Sequence, residues 1–424
     1  MERIAIVDGL RTPFCKMGST LKDMTAVDLA VHAVRELFER KRIDPKTIDE
    51  VIFGNVGQPA DAANISRVIA LISGVPFTTP AFTVHRNCAS GIESVVTAAL
   101  KIQAGEGKFI LAGGTESMSN YPFLFTKELQ EILSELSRAK DFGSKMKAII
   151  KLRPWYYSPR IGLQMGLTDA ACGLNMGQTA EVLAKEFGIS RQEQDEFSMQ
   201  SHHKALAARE RLKEEIVPII PGTKYKAAVE SDNGPRENQT MEAQARLNPI
   251  FDKRSGTVTA GNSSQVTDGA VALLVMSESR AKELGFKPLG FLKAFAFAGV
   301  EPNRMGMGPA HAIPKVLKKA GMTLKNINAL EINEAFAAQV IACLKAMESE
   351  KFLSEFGYTG LIDKVDRDIL NVNGGAIALG HPVGATGSRL ILTMLKHLNR
   401  NNLSTGLVSL CIGGGQGAAV ILER

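Results

Sequence analysis

Short apolar runs alternate along the chain with longer segments whose apolar residues recur every three or four positions. Ile4–Val7, Val51–Phe53, Phe109–Ala112, Ala272–Met276 and Leu407–Leu410 read as strands, and Val27–Arg40 as an amphipathic helix. Alternation of this kind predicts sheets flanked by helices, an α/β fold.

The pattern also repeats. Ile43-Asp44-Pro45-Lys46-Thr47-Ile48-Asp49-Glu50-Val51 and Met322-Thr323-Leu324-Lys325-Asn326-Ile327-Asn328-Ala329-Leu330 stand at a constant offset of 279, each after a helix ending in basic residues. A second pair follows in the same order. Cys88 precedes a helix (Ile92, Val95, Val96, Ala99, Leu100), a polar turn and Phe109-Ile110-Leu111-Ala112-Gly113-Gly114. His381 precedes a helix (Leu390, Ile391, Met394, Leu395, Leu398), a polar turn and Leu407-Val408-Ser409-Leu410-Cys411-Ile412-Gly413-Gly414. Two matching pairs in one order predict a duplicated chain.

Residues 117–251 break the rhythm with charge, glycine and prolines at 154, 159, 218, 221, 235 and 249, and the first half resumes at Thr257-Val258-Thr259-Ala260. The expected organisation is a first half of residues 1–116 plus 252–278, a loop domain of 117–251, and a second half of 279–424. Excursions of that size usually cover a site.

Composition narrows the function. With 45% apolar and 22% charged residues the 424-residue chain fits a globular protein with a large core. A net charge of +6 is too small and too dispersed for nucleic acid, but suits an anionic, phosphate-bearing ligand. The five cysteines (15, 88, 172, 343, 411) are scattered, without Cys-x-x-Cys or a nearby Cys/His cluster, which argues against zinc, iron–sulfur or a disulfide framework. Reduced thiols predict a cytoplasmic setting. The strand-like N-terminus lacks a signal-peptide core, and no apolar run reaches the roughly 20 residues of a membrane span.

Three turns carry candidate chemistry. Cys88 falls where Ala81–Val84 gives way to a helix, so backbone N–H groups can favour a thiolate or hold an oxyanion. His381 lies among Gly380, Gly384 and Gly387, with Pro382 fixing the backbone beside it. Gly413–Ala418 formally fits a dinucleotide pattern but leads into a strand, Ala419–Leu422, instead of a helix. Its glycines more plausibly open space beside Cys411. Asn333 ends the strand-like Ala329–Ile332, where ligands bind in open α/β sheets. Taken singly, a lone cysteine is ordinarily a core residue and a lone asparagine a cap.

Together, Asn87-Cys88-Ala89-Ser90-Gly91, Asn333-Glu334-Ala335-Phe336, Asn373-Gly374-Gly375 through Gly380-His381-Pro382, and Cys411-Ile412-Gly413-Gly414-Gly415 resemble the thiolase family. Gly166-Leu167-Thr168-Asp169, Met176-Gly177 and Thr257–Asp268 extend the resemblance, which runs from Ile4 to Leu422. It implies a thiolase-like fold of duplicated α/β halves, layered α-β-α-β-α, with an inserted loop domain. Cys88 would carry the acyl group as a thioester. His381 would activate Cys88 and, with a water held by Asn333, bind the substrate thioester oxygen. Cys411 would act as acid and base, and the N–H groups of Cys88 and Gly413 would form a second oxyanion site. No permanently bound cofactor is implied; coenzyme A and acyl-CoA are substrates held by the 117–251 excursion, with Ser264 on the returning strand near the pantetheine, Arg236 a candidate at the nucleotide end and Met176 a further binding residue. Asn175, where a histidine often precedes Met-Gly, and Ala243, where a serine is usual, depart from the short-chain pattern.

The implied reaction is cleavage of 3-ketoacyl-CoA by CoA in fatty-acid breakdown. Acetoacetyl-CoA formation from two acetyl-CoA is the nearest alternative, kept open by Met305, and a decarboxylating ketoacyl synthase a more distant one. Residues 123–160 and Lys345–Asp368 expand on compact members, as in thiolase subunits of fatty-acid-oxidation complexes, which brings in a hydratase/dehydrogenase subunit as a partner; Asn333 follows the common pattern instead. A homodimer or homotetramer is expected. Leu129, Ile132, Leu133 and Leu136 at helical spacing, followed by six bases, make 126–153 a candidate for peripheral membrane contact, with a solvated helix as the alternative.

Overall fold

The computed structural model describes residues 2–222 and 227–424. The chain separates into a large unit, built from residues up to Asn120 and from Asp169 onward, and a small unit, Tyr121–Thr168.

The large unit is organised by nine strands: β1 (Ile4–Arg11), β2 (Glu50–Gly54), β3 (Ala81–Val84), β4 (Phe109–Ser117), β5 (Thr267–Ser277), β6 (Gly290–Gly299), β7 (Ala329–Ile332), β8 (Thr405–Ile412) and β9 (Gln416–Glu423). They hydrogen-bond in the order β7-β8-β9-β6-β1-β5-β4-β2-β3, with Cys15–Lys16 paired to β5 off this path. Outward from the β1/β6 seam, β1-β5-β4-β2 and β6-β9-β8-β7 follow the same rule: two antiparallel pairings, then a parallel one. The duplication read from the sequence is thus a duplication of topology. The offset of 279 holds in detail. Helix α1 (Ala26–Lys41) ends on the left-handed Arg42 (φ 54°), and its counterpart Gly308–Ala320 ends on the left-handed Gly321 (φ 64°). Single 3-10 turns follow, Pro45–Thr47 and Leu324–Asn326, and then β2 and β7. One element differs. Beyond β2 lies β3, whereas beyond β7 only a single parallel bridge, Leu330 to Leu370, remains.

Most of these strands are apolar on both faces, and alternate residues feed different cores. Ile4, Ile6, Ile110 and Val275 face an inner core, while Ala5, Val7, Leu111 and Leu274 face an outer one with Leu29, Val34 and Leu37 of α1. The inner core is shared by both halves. It holds Ile92, Val95 and Val96 of α2 (Ser90–Gln103), and Leu390 and Leu395 of the last helix (Val383–Arg400), with Val408 and Val420 from the opposite strands. A third core covers the second half's outer face with Ile313, Val316 and Val340. These three cores interleave the expected α-β-α-β-α layers. Each fully buried leucine or isoleucine contributes about 1.5–3 kcal/mol, so the shared inner core binds the halves into one body.

The predicted excursion, 117–251, is divided between the units. Its part 121–168 forms the small unit, with α3 (Lys127–Arg138), α4 (Phe142–Ile150) and a two-stranded ladder of Phe123–Leu124 with Arg160–Ile161. The described part from Asp169 belongs to the large unit and includes α5 (Met176–Glu186) and α6 (Arg191–Leu212). Buried Arg11 of β1 anchors this stretch, binding Glu215 at 2.6 Å and Asp232 through two nitrogens at 2.6 and 2.8 Å. The remaining helices are α7 (Gly308–Ala320), α8 (Ala337–Met347) and α9 (Val383–Arg400).

Candidate active site

Cys88 and His381 occupy corresponding elbows, each two residues ahead of one of the paired central helices, α2 and α9. The helices approach closely because glycines face backbone. A Cβ on Gly91 would lie 2.6 Å from the Ser388 nitrogen, and one on Gly387 would meet the Ile92 nitrogen. Ser388 completes the contact by donating to the Gly91 carbonyl at 2.9 Å.

Asn87 takes a left-handed conformation (φ 42°) to turn the chain toward Cys88. Its amide donates to the Gly413 carbonyl at 2.6 Å, clamping the first elbow to the β8–β9 turn. That turn passes through two left-handed glycines, Gly414 (φ 89°) and Gly415 (φ 81°). The N–H groups of Gly413 and of Cys88 itself both reach the half-buried Cys88 sulfur. They favour a thiolate, as the helix start predicts, but burial outweighs them and Cys88 is pushed above the ordinary thiol value. Cys411, on β8 and 1% exposed, is raised well above it, first by burial and then by the closeness of Cys88. The two distant thiols are therefore neighbours.

His381 is buried, and burial, aided by the Arg389 charge, lowers its pKa to about 3. Its Nδ1 lies 2.7 Å from the Thr386 hydroxyl, which itself donates to the Pro382 carbonyl at 3.1 Å. With that hydrogen committed, Thr386 accepts from Nδ1–H, and Nε2 is left with a free lone pair. Nε2 faces the Asn333 amide nitrogen at 3.5 Å, a long contact. Asn333, directly after β7, keeps strand geometry through its N–H to Ser409 (2.8 Å), and its buried Oδ1 has no partner among the described residues. Burial thus favours the neutral form of both thiols and of the imidazole, with the Asn333 oxygen an unpartnered acceptor on the residue that faces His381.

The other predicted residues fall on two sides. Ser264 is half-buried on a segment threaded between the loop after β7 and the His381 elbow: its N–H donates to the Ala335 carbonyl (2.9 Å), while the Gln265 carbonyl accepts from His381 N–H (3.0 Å). Met176 opens α5, with its sulfur 3.2 Å from the position a Cβ on Gly413 would take. It packs with Phe251, Met305 and Phe336 around Cys411. Asn175, the departure noted in the sequence, caps α5 by accepting from Gln178 N–H at 3.0 Å. Arg236 is exposed; its backbone N–H donates to His202 Nδ1 at 3.2 Å, and its charge acts on His202 and Lys16.

Three residues that sequence reasoning did not single out complete the geometry. Thr386 sets the imidazole tautomer; its signal was a hydroxyl one helical turn beyond His381. Buried Glu116, at the end of β4, accepts from Asn55 Nδ2 and the N–H groups of Val56, Gly57 and Gly384 at 2.9–3.2 Å, tying the loop after β2 to the start of α9. Buried Glu334 accepts from Ser201 (2.6 Å), Asn371 (2.8 Å) and Ile377 N–H (3.3 Å), joining the Asn333 loop to the segment that leads to His381. No local pattern marks Glu116, and Glu334 stands in the Asn333-Glu334-Ala335-Phe336 motif with no role read for it from the sequence. No cluster of three metal-ligating side chains occurs among the described residues.

A thiol flanked by backbone N–H donors and a second thiol, on an elbow packed against one that carries an unprotonated imidazole, is equipped for acyl transfer, and the fold carries it on a duplicated α/β frame. The chain belongs to the thiolase family: residues 4–279 match the thiolase N-terminal domain and residues 286–424 the thiolase C-terminal domain. A 3-ketoacyl-CoA thiolase of Colwellia psychrerythraea is 41% identical over 426 residues, covering 100% of this chain and 97% of that one. Among solved structures, a Bacillus anthracis acetyl-CoA acetyltransferase is 37% identical with a TM-score of 0.86, covering 100% of this chain and 99% of that one. Human mitochondrial 3-ketoacyl-CoA thiolase in complex with CoA is 36% identical with a TM-score of 0.84, covering 100% and 98%.

Proposed function

We propose that the protein is a 3-ketoacyl-CoA thiolase that cleaves its substrate with CoA through an acyl thioester on Cys88. The observation that carries this reading is the meeting of Cys88 and Cys411 at the Asn87–Gly413 clamp, on an elbow packed directly against the one that carries His381. His381 takes the Cys88 proton, and the sulfur attacks the C3 ketone of the substrate, whose oxyanion meets the N–H groups of Cys88 and Gly413. The C2–C3 bond breaks. Cys411 gives its proton to the carbon of departing acetyl-CoA, while the thioester oxygen of that fragment is held by His381 and a water on Asn333. Cys411 then takes the proton of an incoming CoA thiol, which displaces the shortened acyl group. His381 returns its proton to Cys88.

Neutral groups suit this cycle. Burial leaves the Cys88 thiol and the His381 imidazole neutral at rest, so transfer of the proton to His381 relies on the developing oxyanion and its N–H donors to stabilise the charges it creates. On this reading Ser264 and Met176 border the pantetheine of CoA, and Arg236 serves its nucleotide end. Coenzyme A comes and goes as substrate, with no resident cofactor.

Formation of acetoacetyl-CoA is the second reading, favoured by the likeness to the B. anthracis acetyltransferase and by Met305 beside Cys411. Steady-state thiolysis with ketoacyl-CoAs of increasing chain length separates the two. Sustained kcat/KM beyond four carbons is expected, and a sharp fall there would overturn the degradative assignment. A homodimer or homotetramer fits the open edge of β3, all four of whose residues are partly exposed. Five unpaired cysteines fit a reducing, cytoplasmic setting and a role in β-oxidation, where a hydratase/dehydrogenase subunit is the expected partner.

A further inference from the structure

The spacing between Asn333 and His381 is fixed by neither side chain. The Asn333 amide nitrogen stands 3.5 Å from His381 Nε2, too long a contact to hold two loops in register. Something else must set the distance.

Glu334 lies next in the chain, 1% exposed, and three segments meet at its carboxylate. Oε1 accepts from Asn371 Nδ2 at 2.8 Å. Oε2 accepts from the Ser201 hydroxyl of α6 at 2.6 Å and from the Ile377 N–H at 3.3 Å. All three partners are donors, so the site is built for the ionised form, although burial pushes the carboxyl up. The partners are themselves fixed. Asn371 takes a left-handed conformation (φ 48°) and pairs its side chain with Ile332 like one more strand residue. It accepts from the Ile332 N–H at 2.9 Å and donates to the Ile332 carbonyl at 3.0 Å. Ser201 accepts from the Gly375 N–H at 3.2 Å, and Gly375 has no room for a side chain: a Cβ there would lie 2.3 Å from the Glu334 carboxyl carbon. Ile377 belongs to the helical turn Ala376–Leu379, which ends at Gly380 and delivers His381. One carboxylate thus joins the end of β7, which presents Asn333, to the turn that presents His381. The Cys88 elbow is held separately, by the Asn87 amide on Gly413, and His381 has its own ties to Gln265 and Thr386. Loosening Glu334 therefore falls chiefly on Asn333.

We propose that Glu334 is a positioning residue for the cleavage step. It holds Asn333 at the distance where His381 and the water on Asn333 meet the thioester oxygen of the departing fragment, and it takes no part in loading Cys88. The proposal rests on the thiolase reaction set out above.

Glu334→Gln keeps the shape but turns an NH2 group toward either Asn371 or the Ser201 and Ile377 donors, donor against donor. Its kcat for thiolysis of a 3-ketoacyl-CoA should fall about ten- to hundredfold, as a displacement of about 1 Å can cause, with KM for CoA little changed. Cys88 should still take an acetyl group from acetyl-CoA at close to the parent rate, read by mass spectrometry of its peptide. Asn333→Ala should show the same division, and adding Glu334→Gln to it should cost nothing further. Ser201→Ala, which removes one donor and keeps the carboxylate, should show the division at smaller size. Equal cleavage by parent and Glu334→Gln, equal loss of acylation and cleavage, or losses that multiply in the double variant would each overturn the proposal. A parent protein that neither acylates nor cleaves would overturn the reaction itself, and this inference with it.

Discussion

Thr386 decides which nitrogen of His381 carries the proton: its hydroxyl, 2.7 Å from Nδ1 and already donating to the Pro382 carbonyl, leaves Nε2 unprotonated, with only the long contact to the Asn333 amide. A Thr386→Val protein keeps the shape but loses the acceptor, so the imidazole can adopt either tautomer. Turnover should fall about ten- to hundredfold, short of removing the base outright, with KM little changed. Thr386→Ser should recover most of the loss. Steady-state kinetics of the two variants side by side checks this, and equal loss in both would point to packing.

The two thiols should separate by step. Cys88→Ser should lose acylation by acetyl-CoA, whereas Cys411→Ala should still acylate Cys88, at least slowly, but fail to complete condensation. Mass spectrometry of the Cys88 peptide reads the first effect, and product formation the second. If both variants lost acylation alike, the division of roles would be wrong.

Burial raises Cys88, so its alkylation by iodoacetamide should keep accelerating through pH 9, where an ordinary thiol begins to level. An alkylation profile that levels near neutrality would show a thiolate already present at rest.

His381 sets an acid limit on stability. Its value is about 3 in the folded protein against 6.5 for the free group. Above pH 6.5 both states hold it neutral and nothing is lost. As pH falls from 6.5 toward 3, the unfolded chain takes up a proton that the folded chain refuses, and stability declines. His202, lowered to about 4, acts in the same direction. The urea midpoint should therefore drop between pH 7 and pH 5, and less steeply in a His381→Asn protein.

At the seam of the central helices, Gly91→Ala would press a methyl against the Ser388 nitrogen at 2.6 Å. Overpacking of this kind costs about 1–3 kcal/mol. Gly299→Ala, with nothing within 4 Å of the added atom, should be close to neutral. Urea unfolding of both proteins makes the comparison.

The duplication was legible because it rests on local patterns: a polar turn after a basic helix end, an aliphatic strand start, and two elbows in the same order. Cys88, His381, Cys411 and Asn333 each stand at a strand or helix boundary among small residues, but singly such positions read as core or cap, and it was the family resemblance that singled them out. Glu116 and Glu334 were not singled out. Glu116 mainly gathers backbone N–H groups, which carry no sequence signature, and Glu334 takes its partners from residues between 37 and 133 positions away. The extent of the small unit was also hidden. Prolines and charge mark all of 117–251 alike, whereas long-range anchors such as Asp232 on Arg11 fasten its later part to the strands.

The equivalence of the Cys88 and His381 elbows carries a consequence for how such a site can arise. Two identical copies of one half, associating about a two-fold axis, could offer only a pair of thiols or a pair of imidazoles. Covalent joining of the copies frees each elbow to vary independently, so one can hold the nucleophile while its twin holds the base. The reaction's complementarity thus depends on a broken symmetry, and the elbows are where the ancestral likeness had to be lost.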